Sequence, residues 1–142
     1  MSVPIPTSSP IDRTESHAAY FASRWLHPSV AVITIHGDLD ASNANEFVDY
    51  ALRHAEHTDR LVLDLSRVDF FGTAGFSALH TLNVRCAGAD VDWALVPSSG
   101  VSRLLRICDP DSALPIASTV QAALSLVEGE PRRLLQLVSQ AR

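Results

Sequence analysis

One segment, "RLVLDLSRVDFFGTAGFSAL" (residues 60–79), narrows the choice of folds more than any other part of the chain. Leu61, Leu63 and Leu65 alternate with other side chains while the run as a whole stays rich in apolar residues, which is typical of a strand inside a sheet. A turn of four residues, "GTAG", then leads into a helical pattern over residues 73–86. This order of strand, turn and helix predicts an α/β fold with right-handed crossovers between parallel strands.

Strands and helices alternate along the rest of the chain. Four further strands are predicted at "AYFASRWL", "VAVITIHG", "VDWALVP" and "LPIAS", and the first two are expected to form a hairpin because Pro28 in "HPS" favours a turn. About four to five helices follow from the periodic spacing of apolar residues. Residues placed to cap three of these helices are Ser42 or Asn43, Ser98 or Ser99, and Ser118. The predicted fold class is therefore α/β, with a mixed β-sheet of about five strands in a single domain.

The two ends of the chain depart from this pattern. Residues 1–17 are rich in Pro and Ser and have no hydrophobic period, so they are expected to form a flexible N-terminal tail. The domain is expected over residues 18–142, where Gly129 and Pro131 separate the preceding helix from a C-terminal helical extension, "RRLLQLVSQA". The N-terminus lacks the cationic start and the apolar core of a secretory signal, which favours a cytoplasmic location.

Composition and charge argue against several classes of partner. The net charge is −5, and all 11 basic residues are arginines that form no run able to follow a phosphate backbone, so nucleic acid is not an expected partner. No apolar run approaches the roughly 18 to 20 residues that span a bilayer, so no membrane partner is expected either. Cys86 and Cys108 each lie alone, without a second ligand at metal spacing, and no metal site is predicted.

Three enzymatic interpretations fail on the residues themselves. "GFSAL" resembles a nucleophile elbow, but Ser77 would lie inside a helix and Leu79 replaces the second glycine. His54 and His57 have a spacing compatible with a metal, yet no carboxylate or cysteine completes the site. "GTAG" lacks the lysine and the length of a phosphate-binding loop. The sequence therefore predicts no enzyme activity and no cofactor.

The "GTAG" turn leaves two local interpretations open. Gly72 and Gly75 would permit the close approach of another chain or an anion, and the first turn of the following helix presents unpaired N–H groups with a partial positive charge. Alternatively, Gly72 only makes a tight turn and Thr73 caps the helix.

Two motifs in register resemble the STAS domain of the anti-sigma factor antagonist family. "HGDLDASNANEF" is similar to the family's Gly-Glu-Leu-Asp followed by a helix, and "LVLDLSRVDFFGTAGFSAL" is similar to its apolar strand and Asp-Ser-Ser-Gly turn. Together with "VDWALVPSSGVSRLLRI" and a short last strand, the resemblance covers roughly residues 20–128. It implies an antagonist that, while unmodified, docks on an anti-sigma factor with a kinase-like ATP-binding fold and so frees a sigma factor. Phosphorylation of a serine in the turn by the same partner then breaks the complex, because a phosphate adds close to two negative charges.

In this register the turn departs from the family pattern. Gly72 takes the place of the Asp, Thr73 of the first Ser, Ala74 of the phosphorylated Ser, and Gly75 of the Gly. Ala74 has no hydroxyl, so the docking surface is expected without its usual off-switch, and Thr73 is the remaining candidate for phosphorylation. The resemblance places the partner contacts at Asp38, Asp40, Ser42, Asn43, Gly72, Thr73, Ala74, Gly75 and Phe76.

Two further hypotheses concern other ligands and redox chemistry. As an alternative function, the positive end of the helix after "GTAG" could receive an anion or a nucleotide and act as a sensor within a larger signalling assembly. Arg67, the nearest basic residue, lies on the strand side of the turn and counts against this. Cys86 and Cys108 follow apolar residues at helical spacing, so both thiols are expected to point towards the core. Buried cysteines usually act as inert small hydrophobes; the alternative is a redox pair, which needs Cα atoms within about 7 Å of each other. The sequence leaves the oligomeric state open, a homodimer included.

Overall fold

The computed structural model describes residues 11–16, 19–27 and 29–128. Its strands and helices, in chain order, are β1 (Ile11–Ser16), β2 (Ala19–His27), β3 (Val30–Leu39), α1 (Ala44–Ala55), β4 (Arg60–Phe71), α2 (Thr73–Gly88), β5 (Asp92–Pro97), α3 (Ser99–Cys108) and α4 (Val120–Glu128). The first ten residues of the predicted tail, Pro28, and residues 129–142 with the predicted helical extension lie outside the described residues.

The five strands form one mixed sheet in the order β1-β2-β3-β4-β5. β1, β2 and β3 pair antiparallel, whereas β3, β4 and β5 pair parallel, because α1 and α2 carry the chain back between them. The predicted hairpin, now β2 and β3, is confirmed, and so are the mixed sheet and the α/β class, with four helices among the described residues.

The strands differ from the prediction at both edges of the sheet. Ile11–Ser16, expected in the flexible tail, pairs with β2 as an edge strand. Its sequence, "IDRTES", shows no hydrophobic alternation because backbone hydrogen bonds to a single neighbour are enough to hold an edge strand. At the other edge, the prediction of a strand at "LPIAS" is wrong, since only one bridge forms there, between Leu95 and Ile116. Pro115 has no N–H group with which to extend the ladder.

The core has two layers, one on each face of the sheet. Alternate residues of β3, β4 and β5 face opposite sides, which is why these strands are apolar on both. On one face, Ile33, Leu63 and Leu95 pack against α1, α2 and α3, and we call this layer the main core. On the other face, Val62 and Val96 pack against α4. This arrangement leaves the starts of α1, α2 and α3 along the edge where the parallel strands end.

The predicted helix caps are confirmed only in part. Ser98 precedes α3, and its Oγ accepts a hydrogen bond from the Val101 amide at 3.2 Å. For α4, Thr119 takes the place of the predicted Ser118, because the Ala122 amide donates to Thr119 Oγ1 at 3.0 Å.

Candidate functional site

Three loops come together where the parallel strands β3, β4 and β5 end and the helices α1, α2 and α3 begin. We call this surface the carboxyl edge, and it consists of residues 37–43, 69–76 and 97–100. The Gly72 amide donates to the Leu39 carbonyl at 3.0 Å, which joins the first two loops. The start of α3 packs closely against the second loop, since a Cβ on Gly100 would lie 3.1 Å from the Asp69 carbonyl oxygen. In α/β folds this edge of the sheet is the usual binding surface.

Hydrogen bonds hold the first loop of the carboxyl edge in place. Asn43 is buried, and its side chain donates to the Asp38 carbonyl at 2.8 Å and accepts from the Asp40 amide at 3.0 Å. The Asp40 carboxylate accepts from the amide and the hydroxyl of Ser42 at 2.9 and 2.5 Å. Asn43 therefore positions the loop from inside. Ser42 is exposed, and Asp38 and Asp40 are half-buried.

The predicted contact residues of the second loop differ in how deeply they are buried. Thr73, the first residue of α2, is exposed. Ala74 and Phe76 are half-buried and pack against the main core. Gly75 is buried, and a Cβ there would lie 2.5 Å from Cε1 of Phe71. The absence of a side chain at Gly75 is therefore required for α2 to pack against β4.

Gly72, rather than Thr73, is the residue that precedes α2, and no side chain caps this helix. The interpretation of Thr73 as a helix cap is therefore wrong. Gly72 has φ −91° and ψ 179°, an extended conformation that any residue can adopt. A Cβ at this position would lie 3.3 Å from Cε2 of Phe70, so a larger residue requires only a small shift of that ring.

Phe70 is a residue of the carboxyl edge that the predicted contacts omit. Its side chain is 54% exposed, and it pairs in register with Asp38 of β3. The next residue, Phe71, is buried in the main core. The pair "FF" at the end of a strand was the available signal in the sequence. Because consecutive side chains of a strand point to opposite sides, one of the two rings is expected to face away from the core.

The side-chain charge of the carboxyl edge is negative. Its three loops contain Asp38, Asp40 and Asp69 and no Arg, Lys or His. Arg67 lies instead beside His36, in a depression that Thr34 and Asp64 also line. An anion at the start of α2 would meet carboxylates and no cationic side chain, which disfavours the sensor alternative.

Of the two thiols, only that of Cys86 lies in the core. Cys86 lines a cavity of about 100 Å³ between α1 and α2, together with Leu52 and Ala89. Burial raises the pKa of the Cys86 thiol to about 11. Cys108, the last residue of α3, is half-buried, so the expectation that it points into the core is wrong. A protonated thiol is a poor nucleophile, which argues against disulfide exchange at Cys86.

The described part of the chain offers neither a membrane-spanning helix nor a cluster of metal-binding side chains. None of its helices combines the length and the apolar character needed to cross a bilayer. No three of its His, Cys, Asp and Glu side chains cluster in a way that could hold a metal ion.

Comparison with known proteins identifies the family. The sequence model of the STAS domain matches residues 26–123. The chain belongs to the STAS domain family. This STAS domain is 37% identical over 118 residues to osmosensory protein A of Mycobacterium tuberculosis, an alignment that covers 80% of this chain and 75% of that protein. It is 30% identical over 124 residues to the anti-sigma-F factor antagonist RsfA of the same species, which covers 84% of this chain and 97% of RsfA.

A solved structure also resembles this STAS domain. The crystal structure of an anti-sigma factor antagonist from Mycobacterium paratuberculosis superposes with a TM-score of 0.65 over 89% of this chain and 99% of that one. The sequence identity is 22%, so this likeness concerns the fold. The resemblance to the STAS anti-sigma factor antagonist family that the motifs indicated is confirmed.

Proposed function

We propose that this STAS domain is an anti-sigma factor antagonist, which binds an anti-sigma factor of kinase-like ATP-binding fold and thereby frees a sigma factor in the cytoplasm. The similarity to RsfA, over 97% of that protein, supports this class of activity. The observation that carries the proposal is the carboxyl edge, a continuous surface braced by hydrogen bonds, with Thr73 exposed at the start of α2. The name of the relative osmosensory protein A makes osmotic stress the first stimulus to test.

The residues of the carboxyl edge divide into contacts and supports. Asn43 and Gly75 are buried, so they position the two loops without reaching a partner. The absence of bulky side chains in the turn lets a partner approach the backbone closely. The proposed contacts are Asp38, Asp40, Ser42, Gly72, Thr73, Ala74 and Phe76.

The usual phosphorylation switch is proposed to be missing from this site. In the register of the family resemblance, Ala74 takes the place of the phosphorylated serine, and alanine has no hydroxyl. Thr73 has one, but consecutive side chains of a helix point about 100° apart, so an active site shaped for residue 74 would not align with it. Phosphoryl transfer depends on this alignment of the attacking oxygen. The complex should therefore persist in the presence of ATP.

The proposal is tested by titrating the purified chain, in a calorimeter, against each purified anti-sigma factor of kinase-like fold from the source organism. Thr73→Glu should weaken a confirmed complex at least tenfold, about 1.4 kcal/mol, because it places an unpaired charge in a desolvated contact. Thr81→Glu is the matched control, since Thr81 is also exposed on α2 but lies about 12 Å further along the helix. Its affinity should match that of the unaltered chain.

Two results would contradict the proposal. If Thr73→Glu keeps its circular dichroism spectrum and binds as tightly as the unaltered chain, the interface lies outside the "GTAG" turn. If none of the anti-sigma factors binds the unaltered chain, the antagonist function itself is wrong.

A further inference from the structure

Phe70 is the one exposed Phe, Tyr or Trp side chain in the part of the chain that the structure describes. Single exposed apolar residues are common on protein surfaces, so its exposure alone has no functional meaning. Its position is informative, because Phe70 lies within the carboxyl edge. It pairs in register with Asp38, follows Asp69, and has its ring beside the open position left by Gly72.

The geometry of β4 explains why Phe70 faces outward. The main core contains Leu65, Val68 and Phe71, which are three residues apart rather than two. The pairing of β3 with β4 shifts register at two places in this stretch, and this changes which side chains face the core. Phe71 takes the inward position against Gly75, which leaves Phe70 outside. A partner that covered this ring would remove apolar area from water without any rearrangement of β4.

Negative charge accompanies this exposed ring. Asp69 is exposed, Asp38 is half-buried, and the three loops of the carboxyl edge contain no basic residue. An apolar side chain with an acidic rim is complementary to an apolar pocket with a basic rim, and it is mismatched to an acidic surface.

We propose that Phe70 is the apolar anchor of the complex with the anti-sigma factor. Its ring enters an apolar pocket on that partner, and Lys or Arg side chains at the rim of the pocket face Asp38 and Asp69. The inference rests on the proposed function and adds to it the chemistry of the partner's surface. Buried aromatic anchors carry much of the binding energy of an interface, whereas charges at its rim mainly set the association rate.

The test uses an anti-sigma factor that binds the unaltered chain in the calorimeter, and it measures association and dissociation rates by surface plasmon resonance. Phe70→Ala should raise Kd at least tenfold, mainly through faster dissociation, because burial of the ring is lost. Phe70→Leu should keep most of the affinity, since the pocket is apolar. Val84→Ala is the matched control, because Val84 is 56% exposed on α2 outside the carboxyl edge, and its Kd should stay within about twofold.

A second pair of substitutions tests the basic rim. Asp38→Asn combined with Asp69→Asn should lower the association rate severalfold at low salt and flatten its dependence on salt concentration. Circular dichroism and thermal melts establish that each variant is folded. An association rate that is independent of salt in the unaltered chain would exclude the basic rim.

The possible outcomes distinguish the anchor role of Phe70 from the proposed antagonist function. If Phe70→Ala is folded and binds with unchanged affinity, the assignment of Phe70 as the anchor is wrong while the antagonist function stands. If the unaltered chain binds no anti-sigma factor, both are wrong. If Phe70→Ala converts a dimer into a monomer in light scattering and leaves partner affinity unchanged, a second copy of the chain covers the ring, which also overturns the anchor.

Discussion

Replacing Gly75 with alanine should destabilise the fold, although alanine is the better helix former. The added Cβ would lie 2.5, 2.8 and 3.0 Å from Cε1, Cδ1 and Cζ of Phe71, whereas unstrained contacts between carbon atoms lie at about 3.5 to 4.0 Å. The Phe71 ring is 5% exposed and belongs to the main core, so close packing leaves it little room to move. To relieve the contact, α2 and β4 would have to separate by on the order of 1 Å.

The size of the effect follows from two opposing contributions. Overpacking of this kind costs about 1 to 3 kcal/mol, and the higher helix propensity of alanine recovers up to about 1 kcal/mol. With the full gain subtracted, we expect the free energy of unfolding of Gly75→Ala to fall by up to about 2 kcal/mol. Gly88 is the matched control, because it lies in the same helix and a Cβ there meets nothing within 4 Å. Gly88→Ala should be neutral or slightly stabilising, so the difference between the two variants isolates the overpacking.

Urea denaturation followed by circular dichroism measures the free energy of unfolding of both variants, and equal m values establish that they expose the same surface. In thermal melts, each kcal/mol should shift Tm by roughly 3 to 5 °C for a domain of this size. If Gly75→Ala and Gly88→Ala unfold at the same urea concentration, the Phe71 ring moves aside without lowering the free energy of unfolding. The assignment of Gly75 to internal packing would then have to be withdrawn.

The remaining predictions concern phosphorylation and the thiols. Incubation with the partner and radiolabelled ATP should leave the chain unlabelled and the complex intact, because Ala74 has no hydroxyl; stoichiometric label on Thr73 in a peptide map would contradict this. Gly72→Asp combined with Ala74→Ser should make the chain a substrate and let ATP dissociate the complex, and an unlabelled double variant would show that the family pattern is not sufficient here. Since burial raises the pKa of Cys86 to about 11, its thiol stays protonated at neutral pH, and mass spectrometry after mild oxidation should find Cys86 and Cys108 unbridged. A linked pair of peptides would restore the redox hypothesis.

Much of the fold could be predicted because strand and helix periods are local properties of the chain. The apolar run after Arg60 and the helical spacing after Gly72 correspond to β4 and α2. The edge strand Ile11–Ser16 could not be predicted, because its hydrogen bonds come from the backbone and leave no pattern in its side chains. The single bridge at Ile116 looked like a strand for the converse reason, since its neighbours are apolar but the ladder does not continue.

For the candidate site, the sequence by itself determined the chemistry: a turn with no hydroxyl at Ala74 and three loops with no basic residue. Only the tertiary structure decided which of these residues a partner can reach. Thr73 and Phe70 lie outside while Gly75 lies inside. The physical reason is that residue types are local, whereas the direction of a side chain here depends on two register shifts between β3 and β4 and on the packing of α2 against Phe71.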